Sequence, residues 1–434
     1  MTGHPVSNRD QTSDPPIAGR DLAKADPTVG GRDLSPDRRA FLRGAGLASV
    51  AIMVGAPVPF HQNLPTGLIP AALAGTGTLN GKDGLVRLVD RPISAETPAH
   101  LLDDSITPTR RHFVRNNGIP PLDMDPGTWT LTVDGQVDQP RTYTIDDLQN
   151  SFEVVKLALA LECGGNGRAF FDPPATGAQW THGAVGCSEW TGVRLRDVLA
   201  AAGVHPDVVY TAHEGADTHL SGDVGLLPIS RGVPIAKAMS GNVLIAFAQN
   251  DGPIHPLNGA PLRLVVPGWP GSCSQKWLRR IWLRNRIHDG PKMTGTSYRV
   301  PRYPVAPGES VDPADFVIIQ RMPVKSLITH PANNAETGRT IEVRGHAWSG
   351  DRAVAAVDIS IDFGATWKPA LLDPPPNDGA WQDFRLQLSL PIAGYYEIWS
   401  RATDDAGEMQ PHAFPWNPNG YLNNSMHRVA LRAL

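Results

Sequence analysis

Residues 157–168 read Leu157-Ala-Leu-Ala-Leu-Glu-Cys-Gly-Gly-Asn-Gly-Arg168, in which an apolar run ends at a cysteine in a glycine-rich turn. The apolar run predicts a buried strand, and the glycines predict a tight turn because they adopt positive φ easily. Arg168 supplies positive charge, which favours the thiolate form of Cys163 over the thiol. A thiolate held in this way can act as a nucleophile or bind a metal. These twelve residues leave both roles open.

The composition of the 434-residue chain limits the class of protein. The length is sufficient for two domains with buried cores, and 43 glycines and 41 prolines predict many turns and loops. A formal net charge of −4 gives no reason to expect nucleic acid as a partner. Cys163, Cys187 and Cys273 lie far apart without a CxxC or CxxCH motif, which excludes a c-type haem, a zinc ribbon and a dense disulfide framework. No apolar stretch in the body of the chain is long enough to span a bilayer.

The first 74 residues have the features of an export leader. Residues 1–37 are polar and proline-rich, and the pair Arg38-Arg39 precedes a weakly apolar segment at 44–54. Ala72-Leu-Ala74 offers the small residues that a signal peptidase recognises. The pattern resembles a twin-arginine signal, which exports proteins that are already folded. The sequence therefore predicts a leader over residues 1–74 and a mature protein in the periplasm.

The remaining chain divides into two predicted domains. Residues 75–322 combine an irregular polar arm at 75–110, short strands among Gly/Pro loops, and helices at 144–148 and 193–202, which predicts a mixed α+β domain. Residues 323–434 differ, because apolar and polar residues alternate in regularly spaced segments separated by turn signals. This spacing predicts an immunoglobulin-like β-sandwich without the usual disulfide.

Several separated motifs occur in a fixed order along the chain and support one another. They are Phe113-Val-Arg-Asn-Asn-Gly-Ile-Pro120, the cysteine turn, Glu189-Trp-Thr-Gly-Val-Arg-Leu-Arg-Asp197, Pro261-Leu-Arg-Leu-Val-Val-Pro-Gly268 and Gly345-His-Ala-Trp-Ser-Gly350. With the terminal sandwich, they resemble the sulfite oxidase family over most of residues 108–434. Members of that family carry molybdenum on molybdopterin, a pyranopterin dithiolene. The resemblance implies an α+β molybdopterin-binding domain of the sulfite oxidase fold, followed by a β-sandwich dimerisation domain.

The resemblance also implies roles for individual residues. Cys163 would be the single protein thiolate on molybdenum, since a soft thiolate suits this metal. Arg115 and Arg168 match the substrate arginines of the family, whose forked donors suit the oxygens of sulfite. Tyr298 matches its active-site tyrosine, and Trp180 is expected to form a wall of the pocket. The implied cofactor-binding residues are Phe113, Asn116, Asn117, Cys163, Asp217, Asn258, Arg263, Ser274, Gln275 and Lys276. Arg263 and Lys276 are the expected partners of the pterin phosphate.

The sequence departs from the animal members of the family at three positions. Asn117 and Asn258 stand where those enzymes carry histidines, and Asn419 stands where they place an additional pocket arginine. The substrate pocket is therefore expected to hold one positive charge fewer. The chain shows no haem motif, so electrons are expected to leave to a separate protein, for which a soluble c-type cytochrome is the predicted acceptor.

Together these features predict a periplasmic sulfite dehydrogenase that converts sulfite and water to sulfate, two electrons and two protons. One alternative is the sulfane-sulfur dehydrogenase subunit of a thiosulfate-oxidising system, in which the cysteine turn tends not to continue to an arginine. Others are a periplasmic reductase of oxidised methionine, which usually lacks the sandwich, and a cofactor-free binding module built on the sandwich. Nucleophilic cysteine hydrolysis ranks last. A homodimer formed through the sandwich is expected from the resemblance.

Overall fold

The computed structural model describes residues 79–122 and 124–434, and the predicted leader at 1–74 lies outside the described residues. Strands dominate, with few helices. The strands before residue 320 are β1 (Val86–Asp90), β2 (Ile93–Glu96), β3 (Val114–Arg115), β4 (Thr130–Gly135), β5 (Arg141–Thr144), β6 (Val154–Glu162), β7 (Val185–Arg194), β8 (Tyr210–Gly215), β9 (Ser230–Arg231), β10 (Leu244–Gln249), β11 (Gly252–Pro253), β12 (Arg263–Val265), β13 (Leu278–Arg284), β14 (Arg299–Pro301) and β15 (Phe316–Ile318). The later strands are β16 (Lys325–His330), β17 (Ala335–Thr337), β18 (Thr340–Trp348), β19 (Val354–Ser360), β20 (Lys368–Pro369), β21 (Leu371–Leu372), β22 (Gln382–Ser389), β23 (Gly394–Asp404) and β24 (His427–Ala433). The helices are α1 (Ile145–Ser151), α2 (Leu195–Ala202) and α3 (Ile235–Ala238).

Both predicted helices form, although the second begins at Leu195 because Val193 and Arg194 still belong to strand β7, and the helix ends follow from local chemistry. Helix α1 begins after Thr144, whose side chain accepts a hydrogen bond from the Asp147 amide while the Asp147 carboxylate accepts one from the Thr144 amide. This capping box satisfies two amide groups that the first helical turn leaves unpaired. Helix α2 ends at Gly203, which has a φ of +72° and so adopts the left-handed conformation that favours glycine.

Strands β6 and β7 position the cysteine turn. They pair antiparallel over their whole length, from Val154 opposite Val193 to Glu162 opposite Val185. The sheet continues from β7 to β10, which also pairs with β11 and β12. The last five residues of β6 are buried, as the apolar run predicts. Cys163 follows directly where this buried strand ends.

The first domain contains a second five-stranded sheet. Its strand order is β5-β4-β13-β8-β9, in which β4 and β13 run parallel and the other pairs are antiparallel. Its apolar side chains pack with those of helix α2 in one large core. This sheet places Asp217 just after β8 and Lys276 just before β13.

The prediction of an irregular arm at 75–110 is wrong for its central part. Strands β1 and β2 form an antiparallel pair there, and β2 also pairs with β3, which ends at Arg115. The arm therefore belongs to a three-stranded sheet. Strands β1 and β2 form a local hairpin with Asp90 opposite Ile93, but both are short, and β2 pairs with β3 only across the intervening segment, with Ser94 opposite Arg115, so the local pattern gave little signal for this sheet.

The second domain consists mainly of two sheets that share one hydrophobic core. Their strand orders are β16-β18-β22-β21 and β17-β24-β23-β19-β20. All pairs are antiparallel except β17 with β24. The long alternating segments predicted from the sequence are strands β18, β19, β22 and β23. The immunoglobulin-like description and the boundary at 322/323 stay predictions.

A further cluster of buried side chains joins the two domains. Its members are Leu102, Ala158, Ala160, Val185, Cys187, Leu327, Trp348 and Trp381. All three cysteines are free and buried, and burial raises the pKa of Cys187 to about 12. Cys187 is therefore a core residue rather than a reactive thiol. The described part of the chain includes no helix with both the length and the apolar character needed to cross a membrane.

Candidate active site

The cysteine turn is fixed by backbone hydrogen bonds on both sides of the thiol. The Cys163 amide donates to the Ala184 carbonyl at 2.9 Å, and the Cys163 carbonyl accepts from the Asn166 amide at 2.9 Å. The Gly164 carbonyl accepts from the Leu422 amide of the second domain at 3.0 Å. Only 7% of Cys163 is exposed. The thiol therefore has a defined position at the wall of a cavity rather than on an open surface.

Glu162 links this turn to the second domain. Its buried carboxylate forms an ion pair with Lys325 and accepts from Trp348 Nε1 at 2.9 Å. It also accepts from Asn166 Nδ2 at 3.0 Å, and Asn166 Oδ1 accepts from the Ala184 amide at 3.1 Å. A buried carboxylate needs such partners because desolvating an unpaired charge is costly. The position of Cys163 thus depends on residues of both domains.

The glycines of the turn make room for Arg168. A Cβ atom at Gly165 would lie 2.4 Å from Arg168 Nη2, and Gly167 has a φ of +91°. The Arg168 guanidinium donates to the Asn419 carbonyl and to the Ala178 carbonyl, both at 3.0 Å. Its central carbon lies 5.0 Å from the centre of the Tyr421 ring. Two of the donors of Arg168 are therefore committed to holding the turn and the C-terminal segment together.

A cavity that opens to solvent lies in front of Cys163, and the space within it, open solvent included, is about 650 Å³. Arg115 and Tyr298 line it, as do the predicted cofactor-binding residues: Phe113, Asn116, Asn117, Cys163, Asp217, Asn258, Arg263, Ser274, Gln275 and Lys276. Arg168 and Trp180 do not line it. Trp180 is fully buried in the core that contains Cys163, with its ring 6.4 Å from that of Phe113. It therefore lies behind the cavity wall rather than on it.

Arg263 and Lys276 are two buried cations in the cavity lining, and they lie close enough for Arg263 to lower the pKa of Lys276. Lys276 Nζ donates to Asn116 Oδ1 at 2.6 Å, and Arg263 Nη1 donates to the Asn258 carbonyl at 2.7 Å. Burial lowers the pKa of Arg263 to about 9, and burial together with neighbouring cations holds that of Lys276 well below its ordinary value. Neither forms a salt bridge within the described residues. Two buried cations without a carboxylate partner are suited to an anionic group such as a phosphate.

Lys82 is a third cation of this region, and no motif in the sequence points to it. Its ammonium donates to the carbonyls of Thr109 at 2.7 Å and His112 at 2.9 Å, and to Asn258 Oδ1. Burial, with a contribution from Arg263, lowers its pKa to about 7. Lys82 lies in the arm, where an isolated lysine resembles any surface charge. Its place beside Asn258 becomes visible only once the arm is folded against the first domain.

The remaining wall offers a mixture of free donors and acceptors. Six buried side-chain atoms on it have no hydrogen-bond partner among the described residues: Arg115 Nη1, Asn116 Nδ2, Asp217 Oδ1, Arg263 Nε, Ser272 Oγ and Gln275 Oε1. Buried polar groups are normally paired, so these atoms point to a polar ligand. Burial raises the pKa of Asp217 to about 6, so this carboxyl group is more readily protonated and can then donate a hydrogen bond. A phosphate-bearing heterocycle such as the predicted molybdopterin fits this set of cations, donors and acceptors.

Comparisons with known proteins agree with this geometry. Residues 117–292 match the family described as "Oxidoreductase molybdopterin binding domain", and residues 317–433 match the "Mo-co oxidoreductase dimerisation domain". Human mitochondrial sulfite oxidase is 36% identical over 363 residues, which cover 78% of this chain and 64% of the human protein. Chicken sulfite oxidase is 32% identical over 358 residues, covering 78% of this chain and 76% of the chicken protein.

A solved structure is also similar to this chain. The sulfane dehydrogenase SoxCD from Paracoccus pantotrophus superposes with a TM-score of 0.65 at 29% identity, covering 77% of this chain and 83% of the other. The present chain spans 64% of the length of the human relative, so the activity of that whole protein is not transferred by the match alone. The chain has a molybdopterin-binding domain followed by a Mo-co dimerisation domain, and it is similar to sulfite oxidases over most of its length. It therefore belongs to the sulfite oxidase family.

Proposed function

We propose that this protein is a molybdenum-dependent oxidoreductase that converts sulfite and water to sulfate, two electrons and two protons. The observation that carries the proposal is the cavity itself, which Cys163 lines together with Arg115, Tyr298 and Lys276. A soft thiolate ligand and cationic donors in the lining of one cavity suit a metal centre that acts on a small oxyanion.

The residues that would hold the cofactor follow from their positions. Cys163 Sγ would be the protein ligand of molybdenum, while Arg263 and Lys276 would bind the phosphate. Asp217 and Gln275 carry unpaired acceptor atoms that would face pterin nitrogens. When bound, the cofactor supplies the acceptor for two electrons, which the protein itself lacks.

The protein side chains would bind and orient the substrate. Arg115 lines the cavity with a buried, unpaired Nη1, which is available to an oxygen of sulfite. Tyr298 has its hydroxyl 3.2 Å from Asn117 Oδ1, so it can donate to an anion at the same edge. Asn116 and Tyr298 are themselves buried, and the low local dielectric around them strengthens charge-assisted bonds.

The substrate and the electron acceptor can be tested together. Purified, cofactor-loaded protein is mixed without oxygen first with sulfite and then with thiosulfate, in the presence of a soluble c-type cytochrome. We expect sulfite to reduce two cytochromes for each sulfate formed. Reduction by thiosulfate alone would instead support the alternative, a sulfane-sulfur dehydrogenase subunit, which is the activity named for the similar SoxCD structure. A protein purified without molybdenum or pterin would support the binding module.

The arm lysine gives a separate prediction about the cofactor. Replacing Lys82 with methionine should accelerate loss of the cofactor roughly tenfold, the factor that corresponds to about 1.4 kcal/mol. The reason is that Lys82 orients Asn258 and adds positive charge beside Arg263 and Lys276. Molybdenum per chain and fluorescence of the oxidised pterin, followed during dialysis, measure the loss. Lys82→Arg should retain the cofactor, and methionine at the exposed Lys368 is the matched control. Equal retention in Lys82→Met and the wild type would contradict the prediction.

The cellular setting and assembly complete the proposal. The paired arginines at 38 and 39 support export of the folded protein to the periplasm, where a c-type cytochrome would accept its electrons. The match of residues 317–433 to a dimerisation domain supports a homodimer formed through the second domain, with an immunoglobulin-like sandwich as its unit.

A further inference from the structure

The side-chain oxygen of Asn117 is the meeting point of three donors. Arg115 Nη2 lies 3.1 Å from this oxygen, Lys292 Nζ lies 2.8 Å from it, and the Tyr298 hydroxyl lies 3.2 Å from it. Two of the three donors are cations. Asn117, Arg115 and Tyr298 line the cavity in front of Cys163, whereas Lys292 lies just behind this lining and reaches it through Asn117.

An amide oxygen cannot satisfy three such donors well. It has two lone pairs, so at least one of the three groups keeps a proton for another acceptor. Arg115 Nη1 is also buried without a partner. The cluster therefore has more donors than acceptors, and an anion with several oxygens would correct the imbalance.

Lys292 and Tyr298 are held at the cluster by an unusual backbone. Lys292 has a φ of +66° and Tyr298 a φ of +54°, although neither is glycine. Such conformations cost energy and persist only when surrounding contacts impose them, often at functional sites. The segment from 292 to 298 is thus bent at both ends so that an ammonium and a hydroxyl reach the same oxygen.

Two residues outside the segment impose this bend. Arg231 Nη1 donates to the Lys292 carbonyl at 2.8 Å, and its guanidinium carbon lies 4.9 Å from the centre of the Tyr298 ring. Arg231 is fully buried and forms no salt bridge with any described residue. Asn419 Nδ2 donates to the carbonyls of Thr296 at 2.8 Å and Arg299 at 3.3 Å.

We propose that Lys292 is a substrate-binding cation that acts with Arg115 on the oxyanion, and that Arg231 and Asn419 position it. The proposal rests on the proposed function, because it assumes an anionic substrate at Cys163. It also accounts for the positive charge that the pocket was expected to lack because position 419 is an asparagine. The amide at that position fixes the segment that delivers Lys292, and the ammonium of Lys292 restores the positive charge to the pocket. The charged and titratable groups that face Lys292 are Arg115, Asp217 and Tyr298.

Three variants test the role of Lys292. Lys292→Met removes the charge, Lys292→Arg keeps it, and Lys368→Met is a control at an exposed lysine of the second domain. In cofactor-loaded protein, we expect Lys292→Met to raise KM for sulfite and the inhibition constant of sulfate by roughly tenfold to a hundredfold, as for loss of a charged hydrogen bond. The effect on kcat should be smaller. Lys292→Arg should recover most of the affinity.

The outcomes separate this inference from the proposed function. Binding of sulfite and of sulfate is measured in parallel by isothermal titration calorimetry, with molybdenum content determined for each variant. A wild type that binds these anions without oxidising sulfite contradicts the proposed activity, yet weaker binding by Lys292→Met alone would still support the role of Lys292. Unchanged anion affinity in Lys292→Met would overturn it. Equal losses in the Met and Arg variants, or loss of molybdenum from Lys292→Met, would overturn it as well, since these indicate a purely structural lysine.

Discussion

Replacing Cys163 with serine is expected to abolish sulfite-dependent turnover while the fold persists. Serine keeps the size and the backbone hydrogen bonds to Ala184 and Asn166, so the turn should form as before. The alkoxide of serine is a far harder and more basic ligand than a thiolate, and molybdenum would lose its soft protein ligand. We expect kcat to fall at least about a thousandfold, which corresponds to about 4 kcal/mol of lost transition-state stabilisation. Steady-state reduction of cytochrome by sulfite measures the loss.

Matched controls show whether the loss of turnover is specific to the Cys163 thiol. Cys187 and Cys273 are also free and buried, but neither lines the cavity. Cys187→Ala and Cys273→Ala should therefore keep their turnover per folded molecule. Circular dichroism and the thermal midpoint of Cys163→Ser should stay close to those of the wild type. Full activity in Cys163→Ser would refute the assignment of this residue as the metal ligand.

Much of the site could be predicted because its residues belong to short contiguous motifs. Phe113, Arg115 and Asn116 follow one another in a single segment, and Ser274 and Lys276 lie in another. Each segment contributes several side chains to the cavity lining, so a motif recognised in the sequence identifies several lining residues at once. The buried strand before Cys163 was equally predictable, because a short unbroken run of apolar residues is typical of a fully buried strand.

The groups that the sequence did not reveal are charges whose burial depends on distant partners. Lys82 and Lys292 lie in irregular segments, where a lysine is ordinarily solvated. Lys82 lies beside Asn258, 176 residues away, and Lys292 beside Asn117, 175 residues away. No local pattern encodes such contacts. Arg168 shows the reverse case, because its motif predicts a substrate ligand while two of its donors are occupied by the carbonyls of Ala178 and Asn419.

Removing the Glu162 carboxylate is expected to give the largest loss of stability from a single substitution in the cysteine turn. Glu162→Ala would leave the buried ammonium of Lys325 without its counter-ion and Trp348 Nε1 without its acceptor. Breaking a buried ion pair by removing one partner typically costs about 3–5 kcal/mol. Urea unfolding, followed by tryptophan fluorescence, should therefore show a lower midpoint. An exposed ion pair, Lys156 with Asp251, provides the control, and Lys156→Met should change the midpoint little.

The double variant Glu162→Gln/Lys325→Met decides what the pair contributes. Glutamine can still accept a hydrogen bond from Trp348, and methionine replaces the lysine stem without a charge, so no buried ion remains unpaired. Replacing both ions of a buried pair by neutral groups is often close to neutral, because the desolvation of both ions is then avoided. We therefore expect the double variant to recover most of the stability lost by the single variants Glu162→Gln and Lys325→Met. Because Glu162 directly precedes Cys163 and accepts from Asn166 across the turn, the double variant should still show reduced turnover if the carboxylate also sets the position of the thiol. Recovery of stability with full turnover would restrict the pair to joining the two domains, whereas additive losses in the double variant would show that the two side chains act independently.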